Sequence, residues 1–194
     1  MARLLLKSIL VVASIVALLS FDVPVGWQKK GTAPKKYDMG IDQSVHRKGR
    51  SVYTIKSIEA VPENRFGTLL NIAPQEKYLG RRVRLSGYMK SENVVGWASF
   101  WMSVTGESKY KSVSFDNMVN RPVKASTDWQ KYDIVLDVPI NASSISYGAL
   151  VCGTGQIWFD NVQLEIVDKT VPITDMNLLS PNGERNTTEV YPDK

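Results

Sequence analysis

Two tryptophans in one predicted strand have the residue type and spacing of a binding platform. Trp97 and Trp101 stand four positions apart in the run Trp97–Thr105. Because successive side chains of a strand alternate between its faces, both indoles are expected on the same face, roughly 13 Å apart. Flat aromatic rings at this spacing can each stack on the apolar face of a different sugar ring of one chain.

Polar residues near the two indoles can supply the hydrogen bonds that a sugar requires. Ser99 and Ser103 alternate with the tryptophans, and Arg84 and Tyr88 lie on the outward side of the preceding predicted strand. Hydroxyls and a guanidinium can fix the orientation of a hydroxyl-rich ligand. The predicted ligand-binding residues are Trp97, Trp101, Arg84, Tyr88, Ser99 and Ser103. One alternative is that one or both indoles lie under a loop, the N-terminal segment or another chain. Another is that the same aromatic face docks a protein.

The sequence contains too few of the residues that most catalytic centres require. The chain has one histidine, His46, in a basic loop, and one cysteine, Cys152, which is expected to be a buried structural thiol. No nucleophile elbow or phosphate-binding glycine loop occurs, and metal sites built on His and Cys are excluded by number. Carboxylates for glycoside hydrolysis could meet in space, but nothing in their spacing favours it; these are Asp133, Asp137, Glu107 and Asp116. We predict a non-enzymatic protein that requires no cofactor.

The elements that would position these residues are strands. Segments rich in β-branched and aromatic residues are separated by Gly, Pro, Asn and Asp clusters, and outside the N-terminus no window keeps a helical period. Alternation places Ala98, Phe100, Met102 and Val104 on one apolar side. This pattern predicts an all-β, antiparallel sandwich or barrel of about eight strands. The segments are Ser51–Lys56, Phe66–Ala73, Arg82–Lys90, Trp97–Thr105, Val113–Phe115, Trp129–Val138, Ser144–Val151 and Gln156–Val167.

The two ends of the chain differ from this central domain, residues 22–167. Residues 1–21 combine basic Arg3 and Lys7 with an uncharged, mostly apolar run from Ser8 to Phe21. This predicts a hydrophobic leader helix that serves as a signal peptide, or as an uncleaved membrane anchor, and hence an extracytoplasmic location. Residues 168–194 carry three prolines and little apolar content, which predicts a polar linker or disordered tail.

Charge and length narrow the class of partner. The net charge of +5 includes the two cations of the leader, and the remaining bases are scattered rather than gathered in a stripe. A nucleic-acid footprint is normally stronger, so we expect no nucleic-acid partner. The 194 residues fit one ordinary domain, which we expect to be monomeric.

Several short motifs resemble those of a known family. The resemblance covers Phe21 to Val167 and rests on these segments: Gly26–Trp27, Tyr37 with Gly40 and Asp42, Lys48–Ser51, Tyr78–Tyr88, Thr127–Gln130 and Trp158–Val162. In these segments the chain resembles the galactose-binding-like jelly roll of bacterial carbohydrate-binding modules. The resemblance implies a jelly-roll β-sandwich and a polysaccharide or glycan ligand. The family also includes accessory and sensory domains, so a protein-interaction or sensory role is the alternative.

Asp160 is an acidic residue at a strand position that is predicted to face the core. It is an even number of positions from Trp158, Val162 and Leu164, which are expected to face the core, so strand alternation predicts that Asp160 also points inward. A carboxylate there needs a compensating charge or hydrogen bonds. The resemblance implies a structural calcium that uses an acid of this strand with oxygens near the start of the domain, such as Asp22. The sequence holds no dense carboxylate loop for such an ion. A β-bulge at Asp160, or hydrogen bonds from backbone amides, would accommodate the carboxylate equally well.

Overall fold

A computed structural model describes residues 21–107 and 112–177, and within them the protein is all-β. Two 3₁₀ helices, Pro34–Lys36 and Gln75–Lys77, are the helices in these ranges. The predicted leader helix and the end of the predicted tail lie outside the described residues. The strands are β1 (Gln28–Lys30), β2 (Tyr37–Arg47), β3 (Arg50–Ser57), β4 (Phe66–Ala73), β5 (Arg82–Thr105), β6 (Ser112–Asp116), β7 (Val123–Asp137) and β8 (Ser144–Val167).

Strands β5 and β8 form the central pair of the sheet. They are antiparallel over their whole length, from the pairing of Arg82 with Val167 to that of Thr105 with Ser144. Strands β3 and β4 pair with the other edge of β8, while β6 and β7 pair with the other edge of β5. Strand β1 extends the sheet beyond β4, and β2 extends it beyond β3. All eight strands therefore belong to one antiparallel sheet.

Both long strands bend at the same level, where Gly96 pairs with Gly153. Each glycine has a positive φ, and a Cβ on either would lie 2.3 Å from a carbonyl oxygen of the opposite strand. Only glycine fits such an approach. The bend curls the sheet into two layers. The front layer comprises β1, β4, β6 and residues 96–105 and 144–152, and the back layer comprises β2, β3, β7 and residues 82–92 and 156–167.

The inner faces of the two layers share one hydrophobic core. Phe100 of the front layer meets Phe159 of the back layer edge to face, with ring centroids 6.0 Å apart. The apolar side predicted for β5 is confirmed, because its residues are all fully or almost fully buried. These residues are Ala98, Phe100, Met102 and Val104. Burial of this apolar surface is the main force that holds the layers together.

The strands predicted from sequence differ systematically from the observed strands. Arg82–Lys90 and Trp97–Thr105 were expected as separate strands but are the two halves of β5, and the same holds for the halves of β8. The glycines between these halves produce a bend instead of a turn. Strand β2 was not predicted because Asp38, Gly40 and Asp42 interrupt its apolar pattern.

The first ten residues of the predicted linker, 168–177, lie against the sandwich. Thr174 exchanges hydrogen bonds with both backbone groups of Val135 on β7. The Asp175 carboxylate accepts from the Phe115 amide on β6, and the residue is only 4% exposed. This segment satisfies backbone groups at the outer edges of β6 and β7, which would otherwise be open to pairing with another chain.

A substitution at Gly87 tests the packing of the layers. A Cβ added there would lie 2.7 Å from Cζ of Phe100, which is fixed in the core. We expect Gly87→Ala to lower the free energy of unfolding by about 1 to 3 kcal/mol because of overpacking. Phe100→Leu should remove part of that penalty in the double variant. Chemical denaturation of the four proteins measures the coupling, and strictly additive losses would contradict this contact.

Candidate functional site

The six predicted ligand-binding residues do not form one site. All of them point outward from β5, but the bend sends its two halves into different layers. Four of them, Trp97, Ser99, Trp101 and Ser103, lie on the outer surface of the front layer. Arg84 and Tyr88 lie on the outer surface of the back layer. Since the layers pack through their inner faces, these two surfaces are on opposite sides of the molecule.

The outer surface of the front layer, hereafter the front face, has an apolar floor and two half-buried indoles. Its residues are Phe66, Thr68, Trp97, Ser99, Trp101, Ser103, Leu150 and Cys152. Both tryptophans pack against Phe66, Leu150 and Cys152. Burial and the nearby Glu63 raise the pKa of Cys152, whose thiol donates to the Glu63 carbonyl oxygen. The thiol is therefore protonated and inert, and it serves as part of the floor.

Hydrogen bonds fix the orientation of the Trp101 indole. Its Nε1 donates to the Thr68 hydroxyl at 2.9 Å, and that hydroxyl donates to the Ala149 carbonyl oxygen at 2.7 Å. Sequence analysis did not identify Thr68, because β4 and β5 reach each other only across β8. An indole held in this way has little rotamer freedom left to lose when a ligand stacks on it.

Ser99 is the unusual polar residue of the front face. It lies between the two tryptophans along β5 and is completely buried, yet its hydroxyl has no hydrogen-bond partner. It is the one buried side-chain polar group of the described residues left in this state. By contrast, the Ser103 hydroxyl shares a hydrogen bond with Ser112 at 3.0 Å. An unpaired buried hydroxyl costs about 1 to 3 kcal/mol, so this group retains unused capacity for a hydrogen bond.

The outer surface of the back layer, hereafter the back face, is covered by the chain itself. Arg47, at the end of β2, lies over Tyr88 with its guanidinium carbon 3.5 Å from the ring centroid. It also approaches the Trp129 ring, at 5.7 Å, and forms an ion pair of 3.1 Å with Asp160. Arg84, nearby on β5, pairs with Glu165. The back-face residues of the predicted site are therefore already engaged within the protein.

The prediction that Asp160 points inward is wrong. Asp160 and Trp158 pair with Tyr88 and Lys90 and share their outward side. The next residue, Asn161, has φ of 54° at a register shift, and this β-bulge reverses the alternation for the remainder of β8. Arg47, with Arg50 at 3.7 Å, compensates the carboxylate. Of the alternatives that the sequence left open, the bulge is the one observed.

Asp22 and Asp160, the residues of the expected calcium site, are not brought together. The Asp22 carbonyl oxygen accepts from the Ile41 amide at the outer edge of β2. Strands β2 and β3 separate it from β8, which places it roughly 14 Å from Asp160 at the usual interstrand spacing. Within residues 21–107 and 112–177, no three acidic, histidine or cysteine side chains form a group that could hold a metal ion.

A buried carboxylate whose burial and partners the sequence did not reveal stabilises the same edge of the back face. Asp42 accepts from Nε1 of Trp158 at 2.8 Å and from the amide and hydroxyl of Ser44. Burial alone would raise the pKa of Asp42, but these hydrogen bonds outweigh it and lower the pKa. Asp42 and Trp158 are 116 residues apart, so no local sequence signal identifies the pair.

Asp42 gives the protein a specific acid sensitivity. Because its pKa is lower in the folded state, its contribution is present above the unfolded value near 4 and is lost as the pH falls through the folded value. We expect Asp42→Asn to cost about 1 to 2 kcal/mol at pH 7 and progressively less below about pH 4. Urea denaturation across this range measures it. A loss that stays constant with pH would show that the charge is not responsible.

Comparison of sequences gives one informative relative. No known family profile matches the chain. An uncharacterized HTH-type transcriptional regulator, YbfP, of Bacillus subtilis (strain 168) is 39% identical over 153 residues. The alignment covers 79% of this chain and 52% of the regulator, so the chain spans about half the length of that relative.

Among the described residues, no helix is long and apolar enough to cross a membrane.

Comparison of structures identifies the fold. The xylan-binding CBM22-1 domain of Paenibacillus barcinonensis Xyn10C superposes with a TM-score of 0.54, at 13% identity, over 77% of this chain and 90% of that domain. A family 30 carbohydrate-binding module matches with a TM-score of 0.53, at 14% identity, over 76% of this chain and 96% of the module. The chain therefore has the jelly-roll-like, galactose-binding-like fold of the carbohydrate-binding modules.

Proposed function

We propose that this chain is a non-catalytic carbohydrate-binding module and that its front face binds a polysaccharide. The observation that carries the proposal is the pair of half-buried indoles on the front face, Trp97 and Trp101, of which Trp101 is held in place by its hydrogen bond to Thr68. Indole rings that keep an exposed surface and a fixed orientation offer a stacking surface at low entropic cost. The likeness in fold to xylan-binding and other carbohydrate-binding modules supports this class of ligand.

The composition of the front face suits a sugar chain. Trp97 and Trp101 offer two stacking surfaces roughly 13 Å apart along β5, and the bond from Trp101 to Thr68 holds one of them in place. The apolar floor is at most 7% exposed and supports the indoles, whose exposed ring surfaces match the C–H faces of sugar rings. Ser99 and Ser103 lie in the same buried layer, so a sugar reaches their hydroxyls only if an indole moves aside.

The carboxylates considered for hydrolysis support a non-catalytic role. Asp116 pairs with Arg121 at 2.6 Å, and Asp137 pairs with Arg82 at 2.8 Å. Asp133 pairs with Lys131, while Glu107 accepts from the Asn141 amide. Each is engaged in a local contact that would have to break before the carboxyl group could act on a substrate. The hydrogen-bonded Arg82 also lowers the pKa of Asp137, which makes that carboxyl a poor general acid.

Removal of one indole tests the front face. We expect Trp101→Ala to weaken binding to insoluble xylan or another recognised polysaccharide by about tenfold or more, since stacking on an exposed sugar face is lost. The matched control is Trp129→Ala, which removes a half-buried indole from the back face. Affinity electrophoresis and isothermal calorimetry on the full chain measure both. Equal losses in the two variants would place the site elsewhere.

Ser99→Ala separates a binding role from a structural one. In the free protein this substitution removes an unsatisfied hydroxyl, so we expect unfolding free energy to stay the same or rise by about 1 kcal/mol. Because Ser99 is completely buried between the indoles, the same variant should bind polysaccharide with unchanged affinity. Ser103→Ala, which breaks the bond to Ser112, is the comparison and should lose stability instead. A weakened affinity of Ser99→Ala would contradict this expectation and would show that the indoles move aside and expose the hydroxyl to the ligand.

A sensory domain is the second candidate, and the Bacillus regulator favours it. The 153 aligned residues are far more than lie outside the described ranges, so the shared part consists largely of this β-structure and is not a helix-turn-helix. A regulator that carries such a domain would use it to recognise a ligand or a protein. Binding of short soluble saccharides without affinity for polymers would favour a sensor over a polysaccharide-anchoring module.

We also propose that the chain is exported through residues 1–21. The support is the basic start followed by the apolar run from Ser8 to Phe21. We expect the full chain, expressed in a bacterium, to reach the extracytoplasmic side. Charges placed in the apolar run by Val11→Arg and Val12→Arg should retain it in the cytoplasm, because such a segment no longer enters the membrane. Protease treatment of intact cells reads out the location, and equal protection of both proteins would refute export.

A further inference from the structure

We propose that the polysaccharide is acidic and that a basic pocket beside the front face binds its anionic substituents. The inference deepens the proposed function and rests on it. The pocket lies between loop residues 32–36, which precede β2, and the turn that carries Pro62 and Arg65 before β4. It has a volume of about 440 Å³, which is enough for a carboxylate, sulfate or phosphate group together with part of a sugar ring.

The charge of the pocket is of one sign. Three of its lining residues are cations, Lys35, Lys36 and Arg65, and none is acidic. Lys36 is paired with Glu59 at 2.9 Å. In the part of the chain that the structure describes, neither Lys35 nor Arg65 has a carboxylate within ion-pair distance. Two cations are therefore available to an anion in the pocket.

The nearby acid Glu63 forms no ion pair with Lys35 or Arg65 in the described part of the chain. Its side chain extends over the glycine bend, where its Cγ lies within 3.5 Å of the positions that a Cβ on Gly96 or Gly153 would occupy. It is not among the residues that line the pocket. The turn thus directs its acidic side chain toward the bend, while Arg65 lines the cavity.

The pocket walls are fixed by the backbone. The Ala33 amide donates to the Phe66 carbonyl oxygen, and the Phe66 amide donates to the Thr32 hydroxyl, both at 3.0 Å. Gly31 lies so close that a Cβ on it would be 2.3 Å from the same Phe66 oxygen. On the opposite wall, the Arg65 carbonyl oxygen accepts from the Gly153 amide at 2.9 Å. A preformed pocket loses little entropy when it binds an anion.

Position connects this pocket to the front face. Phe66, Cys152 and Trp97 stand side by side across β4, β8 and β5, which places Trp97 roughly 10 Å from Phe66. Arg65 directly precedes Phe66. A glycan stacked on Trp97 and extended toward Phe66 would approach the turn that carries Arg65. The floor residues carry hydroxyl and apolar groups, and Glu63 beside Cys152 is acidic, so the pocket supplies the cations that would distinguish an acidic sugar from a neutral one.

Arginine suits this recognition because its planar guanidinium binds carboxylate, sulfate and phosphate oxygens in a bidentate manner. Lysine adds a second charge without that geometry. Solvent-exposed pairs of this kind are individually weak and are screened by salt. We therefore expect the pocket to raise the affinity for an acidic glycan by about three- to tenfold at low ionic strength, and to lose most of that preference at high salt.

The test compares matched ligands on the full chain. Xylo-oligosaccharides with and without glucuronate branches have the same backbone and differ in charge, and sulfated and phosphate-bearing glycans extend the set to the other anions. The pocket variant is Lys35→Gln with Arg65→Gln. Its control is Lys77→Gln with Arg81→Gln, which removes the same charges from exposed positions beyond the opposite end of β4. Calorimetry at low salt and at about 0.5 M salt measures the preference.

We expect the wild type and the control to prefer the acidic member at low salt, and the pocket variant to bind both members as the wild type binds the neutral one. The anion that gives the largest preference identifies the substituent. Equal affinity of the wild type for both members would overturn this inference and leave the proposed function standing. An acidic preference that persists in the pocket variant would overturn it as well. Failure of every glycan to bind would instead refute the proposed function.

Discussion

The bend at the Gly96 and Gly153 pair is the constraint on which the rest of the structure depends. Each glycine lies against a carbonyl oxygen of the other strand, so neither position tolerates a side chain. Through this bend, β5 and β8 remain paired while they pass from one layer to the other. The two layers are therefore one curled sheet, and the core between them closes without a separate connection. The same bend decides which side of the molecule each residue of β5 faces.

The local part of this fold can be predicted from sequence, whereas its closure cannot. Alternation identified the buried side of each half of β5, because burial on one face imposes a period of two. It could not show that the bend at Gly96 places the two halves in different layers. Arg84 and Tyr88 were for that reason grouped with Trp97 and Trp101, although all four point outward as predicted. At Asp160 the alternation itself failed, because the positive φ of Asn161 reverses the facing of the residues that follow.

The side-chain contacts that distinguish the two faces also cannot be predicted from local sequence. Thr68 meets Trp101, Asp42 meets Trp158, and Arg47 meets Asp160 across separations of 33 to 116 residues. Each contact depends on which strands become neighbours in the sheet. The residue types still carried information, since a tryptophan on an outward position requires a partner for its ring nitrogen or a ligand for its face. The fold then decides which of these requirements is met.

The two faces hold similar aromatic residues but differ in how far the chain itself supplies partners for their rings and polar groups. On the back face, Arg47 covers Tyr88 and approaches Trp129, and Asp42 accepts from Trp158, so the chain supplies the partners. On the front face, Trp101 is positioned by Thr68, yet Ser99 between the indoles is left without a partner among the described residues. Natural proteins rarely leave a buried hydroxyl unsatisfied unless something else completes it. The back face thus accounts for its own polar groups, whereas the front face keeps one buried hydroxyl that no described residue satisfies.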